Sequence, residues 1–140
     1  MIITEYKKFR GVVSFDFDGV LHTSMIPGTL HPIGFKNPDD WIPNLKLHDL
    51  LRKEQKTNKV IIVTARDTWN KPQIEQFLKK WNLNVDEIIT TDNRPKKYFL
   101  LRNNVVKHYD DNPELKRQLE GTGIELAFVY DTDKIKKFKM

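Results

Sequence analysis

Four acidic residues in this chain sit where a turn of the backbone can gather them. Asp16 and Asp18 flank Phe17 just ahead of Gly19, and Asp110 and Asp111 adjoin just ahead of Asn112 and Pro113. On extended backbone, side chains two residues apart point to the same face, so Asp16 and Asp18 are expected to act together. A carboxylate can attack an electrophilic centre, and a neighbouring acid can carry the proton that a leaving group needs. Carboxylates crowded into a cleft repel one another unless a cation joins them. An all-oxygen donor set suits Mg²⁺, which binds through one or two carboxylates and a substrate phosphate. Thr64, and a lysine at Lys96 or Lys97, add a hydroxyl and an ammonium that can hold non-bridging phosphoryl oxygens. Phosphoryl transfer is the chemistry that uses all of these groups at once.

Each group also has a plainer role when taken alone. Asp16 and Asp18 ahead of Gly19 would suit a turn, and Asp110 and Asp111 ahead of Asn112 and Pro113 would suit a helix start. Thr64 could satisfy a helix N-terminus, and adjacent lysines are most often a solvated face. The joint occurrence of all four weighs against those separate accounts. Arg66, just past Thr64, is placed to reach a phosphate, with an ion pair to Asp67 as the competing assignment. Trp69 follows in the same segment, where an aromatic ring can stack on a base or simply pack. His22, His31, His48 and His108 have no zinc-ligand spacing among themselves. Of these, His22 lies four residues past Asp18, where contact with a substrate competes with a structural role.

The elements that must position these groups are short apolar strands alternating with amphipathic helices. Val12, Val13, Phe15 and Phe17 form a strand that runs into the first acidic pair. Val60, Ile61, Ile62 and Val63 make a continuous apolar run, the mark of a strand covered on both faces. Ile88 and Ile89, Val105 and Val106, and Leu126 through Tyr130 supply three more strands. Leu47, Leu50 and Leu51 follow helical spacing, as do Ile74, Phe77, Leu78 and Trp81, which puts Trp81 on an apolar face. Asn112 and Pro113 read as the N-cap and first position of a helix through Leu115 and Leu119, ended by Gly121 and Gly123. The pattern predicts an α/β fold in one domain over residues 1–140, with a mainly parallel sheet of five strands. Ligand sites in such sheets lie beyond the carboxyl ends of the strands, where Asp16, Thr64 and Asp110 fall. Residues 22–41, with Pro27, Pro32 and Pro38, read as a long loop of a kind usually kept for function.

Composition sets outer bounds. Of 140 residues, 39% are hydrophobic and 31% charged, ordinary for a soluble globular protein. No apolar run approaches the ~20 residues of a membrane span, and Met1 to Arg10 lacks the apolar stretch of a secretory signal. A cytoplasmic location is expected. The absence of cysteine excludes disulfides, thiolate metal sites and a cysteine nucleophile. The net charge of +5 points to an anionic partner. Much of it lies in Lys134, Lys136, Lys137 and Lys139, read either as a solvated, frayed tail or as a grip on a phosphate backbone.

Asp16-Phe17-Asp18-Gly19-Val20, then Thr64, then a lysine at 96 or 97, then Asp110-Asp111 resemble the four ordered motifs of the haloacid dehalogenase (HAD) superfamily phosphatases. The likeness runs from about Val12 to Asn112, and the strand–helix pattern extends it to Tyr130. It implies a Rossmann-like three-layer sandwich with strand order 5-4-1-2-3 and a Mg²⁺-dependent phosphatase that works through an aspartyl-phosphate. Carried over by position, Asp16 is the nucleophile, while Asp18 protonates the leaving alcohol and then activates water. Asp16, the Asp18 backbone carbonyl, Asp110 and Asp111 bind the Mg²⁺. Thr64 donates to the phosphoryl group, and the motif lysine neutralises nucleophile and phosphate. Lys96 is preferred for that role, because Phe99 and Leu100 then point inward as they do after the family lysine. Lys97 stays open, as the motif lysine or as a substrate contact beside Arg66.

Family members that act on small metabolites usually carry a folded cap, and the stretch between Asp18 and Val60 has no room for one. The resemblance therefore implies a minimal or absent cap and an open site. Among capless members the chain is most similar, over Val13 to Arg66, to the 3′-phosphatase domains of nucleic-acid end-healing enzymes and related domains of RNA-repair proteins. That implies a phosphorylated nucleic-acid end as substrate, met by Arg66, Arg94, Trp69 and the lysine-rich tail. No Gly-x-x-x-x-Gly-Lys kinase loop is present. Competing assignments are a small-metabolite or deoxynucleotide phosphatase and a catalytically silent nucleic-acid-binding module, against which Asp18 is retained. A receiver-type signalling domain is disfavoured by motif order, since its paired acids come first.

Overall fold

The computed structural model of this chain describes residues 9–24 and 37–140. Its strands are β1 (Val12–Phe15), β2 (Lys59–Thr64), β3 (Glu87–Thr90), β4 (Val105–Asp110), β5 (Glu125–Tyr130) and β6 (Lys134–Lys139). Between them stand α1 (Leu45–Gln55), α2 (Lys71–Lys80), α3 (Lys96–Arg102) and the single turn α4 (Leu115–Gln118). The strands form one sheet in the order β3-β2-β1-β4-β5-β6. The first five are parallel and, read from the other edge, lie in the expected order 5-4-1-2-3.

The strand β2 shows why the sheet must be covered twice. Its side chains alternate, so Val60 and Ile62 pack on one face with Phe15, Leu47, Leu51, Ile74 and Phe77. Ile61 and Val63 pack on the other with Leu100, Leu115, Leu119 and Leu126. Helices α1 and α2 thus cover one face, and α3 and α4 the other. In α2 the buried positions Ile74, Phe77 and Leu78 keep helical spacing, and Trp81 at its C-terminal cap packs against the same core.

Three expectations are corrected. The sheet has six strands rather than five, and the sixth is antiparallel. It is the lysine-rich segment, which is neither frayed nor a tail: Glu125 pairs with Lys139 and Tyr130 with Lys134. Ile135 and Phe138 pack against opposite faces of the core, while the lysines between them project to solvent at the sheet edge. Positive charge along an edge strand also discourages pairing with another chain. The helix expected from Asn112 is shorter than read. Asn112 does cap the turn, its Oδ1 accepting from the Glu114 N–H at 3.0 Å, yet α4 spans only Leu115–Gln118.

The loop read over residues 22–41 is described at its two ends only. Residues 25–36 lie outside the described residues, as do residues 1–8. At the near end His22 forms isolated bridges with Asp18 and Pro43, and at the far end Pro38–Asp40 make one 3-10 turn before α1. The connection from β3 to α3 is the short segment Thr91 to Pro95. Among the described residues no helix is long and apolar enough to cross a membrane.

Candidate active site

Strand order brings the motif residues together. β1 lies between β2 and β4, so residues just past Phe15, Thr64 and Tyr109 share one rim of the sheet. The Asp16 N–H bonds to the Tyr109 carbonyl at 2.8 Å, which sets Asp16 beside Asp110. Asp16, Asp110 and Asp111 each offer a carboxylate oxygen within 4.8 Å of the others. Asp110 is fully buried, and Asp16 nearly so. Gly19 leaves room for this arrangement: a Cβ there would stand inside the van der Waals envelope of Asp111 Oδ2, and its φ of +76° favours glycine.

One lysine joins the cluster. Lys96 Nζ donates to Asp110 Oδ2 at 2.6 Å and lies 3.0 Å from Asp16 Oδ1. Burial alone would weaken this ammonium, but Asp110 and Asp16 outweigh it and hold its proton more tightly than usual. Lys97, the next position of α3, is only half-buried, and among the described residues no ion pair ties it to the acids. On the same helix Leu100 is in the core and Phe99 packs against it.

A single ammonium cannot balance three carboxylates. Burial first, and then the charge of Asp110, push the Asp16 carboxyl well above the ordinary carboxylate range. Burial and Asp110 likewise push Asp111 up to about 6. Asp110 goes the other way: burial opposes its charge, but Lys96 and His108 prevail and hold it ionised. The remaining imbalance, together with donors that are all oxygen, fits a hard divalent cation.

Asp18 does not join this group. Its carboxylate turns to Arg66, whose Nε and Nη2 each donate to it at 2.8 Å, and to His22, whose Nε2 lies 2.6 Å from Oδ1. Burial would raise its proton affinity, but the His22 and Arg66 bonds prevail and lower it to about 2. Arg66 thus pairs with Asp18, not with Asp67. Its guanidinium lies 4.9 Å from the Trp41 ring and donates to Gln73 Oε1 at 3.2 Å. Thr64 is buried at the strand end, and its Oγ1 accepts from the Arg66 N–H at 3.4 Å.

His108 was not read in sequence as part of this site, and His22 was read there only as a substrate contact or a structural residue. His22 is fully buried and touches Asp18. His108 is fully buried as well, with Nε2 2.7 Å from Asp110 Oδ2 and Nδ1 2.6 Å from Ser14 Oγ. The signal for His108 was present: it lies two residues before Asp110 on one strand, so both side chains share a face. On the outer rim Trp69 is 70% exposed, its Nε1 donating to Asp67 Oδ2 at 3.2 Å. Arg94 is exposed too, with Nε donating to the Thr91 carbonyl at 2.9 Å.

No family model matches the sequence, and no curated protein matches it. Solved structures do. A chain in the structure of the Pnkp1/Rnl/Hen1 RNA repair complex matches with a TM-score of 0.69 and 22% identity, over 90% of this chain and 43% of its own length. A chain in a second structure of the Pnkp1/Rnl/Hen1 complex gives 0.68 and 23%, over 90% of this chain and 47% of its own. At that identity the likeness is one of fold. This chain spans less than half the length of either.

Proposed function

We propose that this chain is a Mg²⁺-dependent phosphomonoesterase that works through an aspartyl-phosphate and acts on phosphorylated nucleic-acid ends. The observation that carries the reading is the separation of two carboxylates only two residues apart. Asp16 lies in the cation-seeking cluster with Lys96, whereas Asp18 is held apart by Arg66 and His22. Distinct surroundings for paired acids are how one site assigns a nucleophile and a proton carrier.

Asp16, Asp110 and Asp111 would hold the Mg²⁺, with the Asp18 backbone carbonyl as a further donor. When bound, the ion would offset the negative charge of carboxylates and phosphate. An Asp16 carboxylate oxygen attacks phosphorus, the bond from phosphorus to the ester oxygen breaks, and that oxygen takes its proton from Asp18. Water then attacks the phosphorus of the aspartyl-phosphate and gives a proton to Asp18, releasing inorganic phosphate and restoring Asp16. Lys96 and the Thr64 hydroxyl stabilise the charge on the transferring group. In the free protein Asp18 stands in its base form, which the second step uses. A phosphate dianion beside it opposes its charge and competes for Arg66, and both effects raise its affinity for the proton the first step needs.

The substrate class is supported by the short described connections at this rim. Among the described residues, only a 3-10 turn and short segments separate Asp18 from α1, and five residues join β3 to α3. Exposed Trp69 and Arg94 at that rim suit a base and a backbone phosphate. The likeness of fold to chains of an RNA repair complex agrees with this choice. The test compares kcat/KM for a 3′-phosphorylated oligonucleotide, the matching mononucleotide and an aryl phosphate, with Mg²⁺, across a salt series. The oligonucleotide should be preferred and should lose affinity with a log–log slope of about −0.7 per phosphate contact. Equal, salt-insensitive values would indicate a small-metabolite phosphatase, and no turnover of any ester would indicate a silent binding module.

A further inference from the structure

On the face of the sheet covered by α1 and α2 the described residues include two buried histidines, His22 and the α1 residue His48, and they are built differently. His48 is a packing residue: its Nε2 bonds to the Leu21 carbonyl at 2.7 Å, and its Nδ1 has no partner. His22 has both ring nitrogens engaged, and one of its partners is a carboxylate of the site. Its Nδ1 accepts from the Ser24 N–H at 3.2 Å, which leaves the ring proton on Nε2, aimed at Asp18 Oδ1 at 2.6 Å. The ring cannot swing away. It stacks on Trp41 with centroids 4.8 Å apart and meets the edges of Phe17 and Phe77 at 4.9 and 5.9 Å.

We propose that His22 is a positioning residue for phosphoryl transfer, holding Asp18 by Oδ1 so that Oδ2 is presented for proton transfer. This rests on the reading of Asp18 as proton carrier. Arg66 binds both Asp18 oxygens, with Nη2 on Oδ1 and Nε on Oδ2. A guanidinium drawn toward an incoming phosphate would release the carboxylate to rotate. His22, locked by its aromatic neighbours and by Ser24, keeps Oδ1 fixed while Oδ2 becomes free. A histidine kept only for packing would need no carboxylate partner, as His48 illustrates.

The test uses leaving groups of different basicity. Departure of an alkoxide depends on protonation by Asp18, whereas p-nitrophenolate leaves with little help. His22→Asn and His22→Ala should slow single-turnover alcohol release from a 3′-phosphorylated oligonucleotide by ~100-fold, the scale of a lost proton transfer. The burst of p-nitrophenolate from p-nitrophenyl phosphate should slow by no more than a few fold. His22→Gln, whose amide nitrogen reaches about as far as Nε2, should recover most of the loss, while His22→Asn should not. Equal losses on both esters, or equal behaviour of Gln and Asn, would overturn the proposal. Wild-type protein that cleaves neither ester would overturn the phosphatase reading as well, whereas an active wild type with unaffected variants overturns only the role of His22. A readout free of turnover is the proton NMR signal of the His22 ring N–H. It should move strongly in Asp18→Asn, and an unmoved signal would equally defeat the proposal.

Discussion

Lys96 Nζ lies 2.6 Å from Asp110 and 3.0 Å from Asp16, so one ammonium ties the ends of two neighbouring strands. Both carboxylates and the ammonium are withdrawn from water, which makes each depend on the others. Lys96→Met should therefore destabilise the protein by about 3 kcal/mol, the scale of leaving buried charges unpaired. Denaturant unfolding would measure it. Adding Asp16→Asn to that variant should recover part of the loss, and strict additivity of the two changes would count against the shared contact.

Asp16→Asn alone should separate stability from activity. The amide cannot attack phosphorus, so release of phosphate should cease. In Mg²⁺-free buffer, however, the variant relieves the repulsion that pushes Asp16 above its ordinary range. Its Tm should rise by a few degrees, at about 3 °C per kcal/mol for a chain of this length. A scanning fluorimetry trace with EDTA, set beside a phosphate-release assay, checks both halves.

The same repulsion gives stability a pH dependence. Asp16 and Asp111 have raised proton affinities in the fold, Asp111 to about 6. The stability linked to Asp111 is complete below its unfolded value near pH 4 and is lost as pH rises through about 6, and the contribution of Asp16 has the same sign. Asp18 has the opposite sign: its contribution is present above about pH 4 and lost as pH falls toward about 2. A cation that joins the carboxylates replaces the lost protons. The Tm difference between Mg²⁺ and EDTA should therefore widen from pH 4 to pH 7, and a constant difference would contradict a site made of these acids.

The clustering of Asp16 with Asp110 and Asp111 was legible because these residues lie at ends of strongly apolar runs. Val60 to Val63 could hardly be anything but a doubly covered strand, and that fixed where Thr64 falls. What escaped was set by neighbours distant in the chain. Arg66 adjoins Asp67 in sequence, yet its partner is Asp18, 48 residues away. His22 shows no sign of its caging by Trp41 and Phe77 until the helix and loop are folded around it. β6 was hidden for another reason: its apolar residues, Ile135 and Phe138, are three apart, so they break the alternation that marks a strand. They pack on opposite faces, as an edge strand with a single neighbour allows.

Gly19→Ala should disable the site without touching a chemical group. The added methyl would collide with Asp111 Oδ2, and the backbone there has a φ of +76°. The left-handed conformation alone costs about 1 kcal/mol for alanine. Mn²⁺ affinity, read by paramagnetic relaxation of water, should fall together with kcat. Unchanged affinity would place Asp111 outside the metal set.

The β5–β6 pairing also has a kinetic meaning. It is a hairpin closed across Tyr130 and Lys134, the most local strand pairing in the sheet. Every other pairing waits for a crossover, and the β1–β4 ladder must bring Val12 to Val105. Closing long loops is slow compared with closing a hairpin. Asp16 therefore sits at the end of the strand whose ladders span the longest stretches of chain, and Lys96 finds Asp16 and Asp110 only when those ladders are complete. On refolding, β-structure should return before the acidic cluster is assembled, so metal binding would serve as a clock for the last step of assembly.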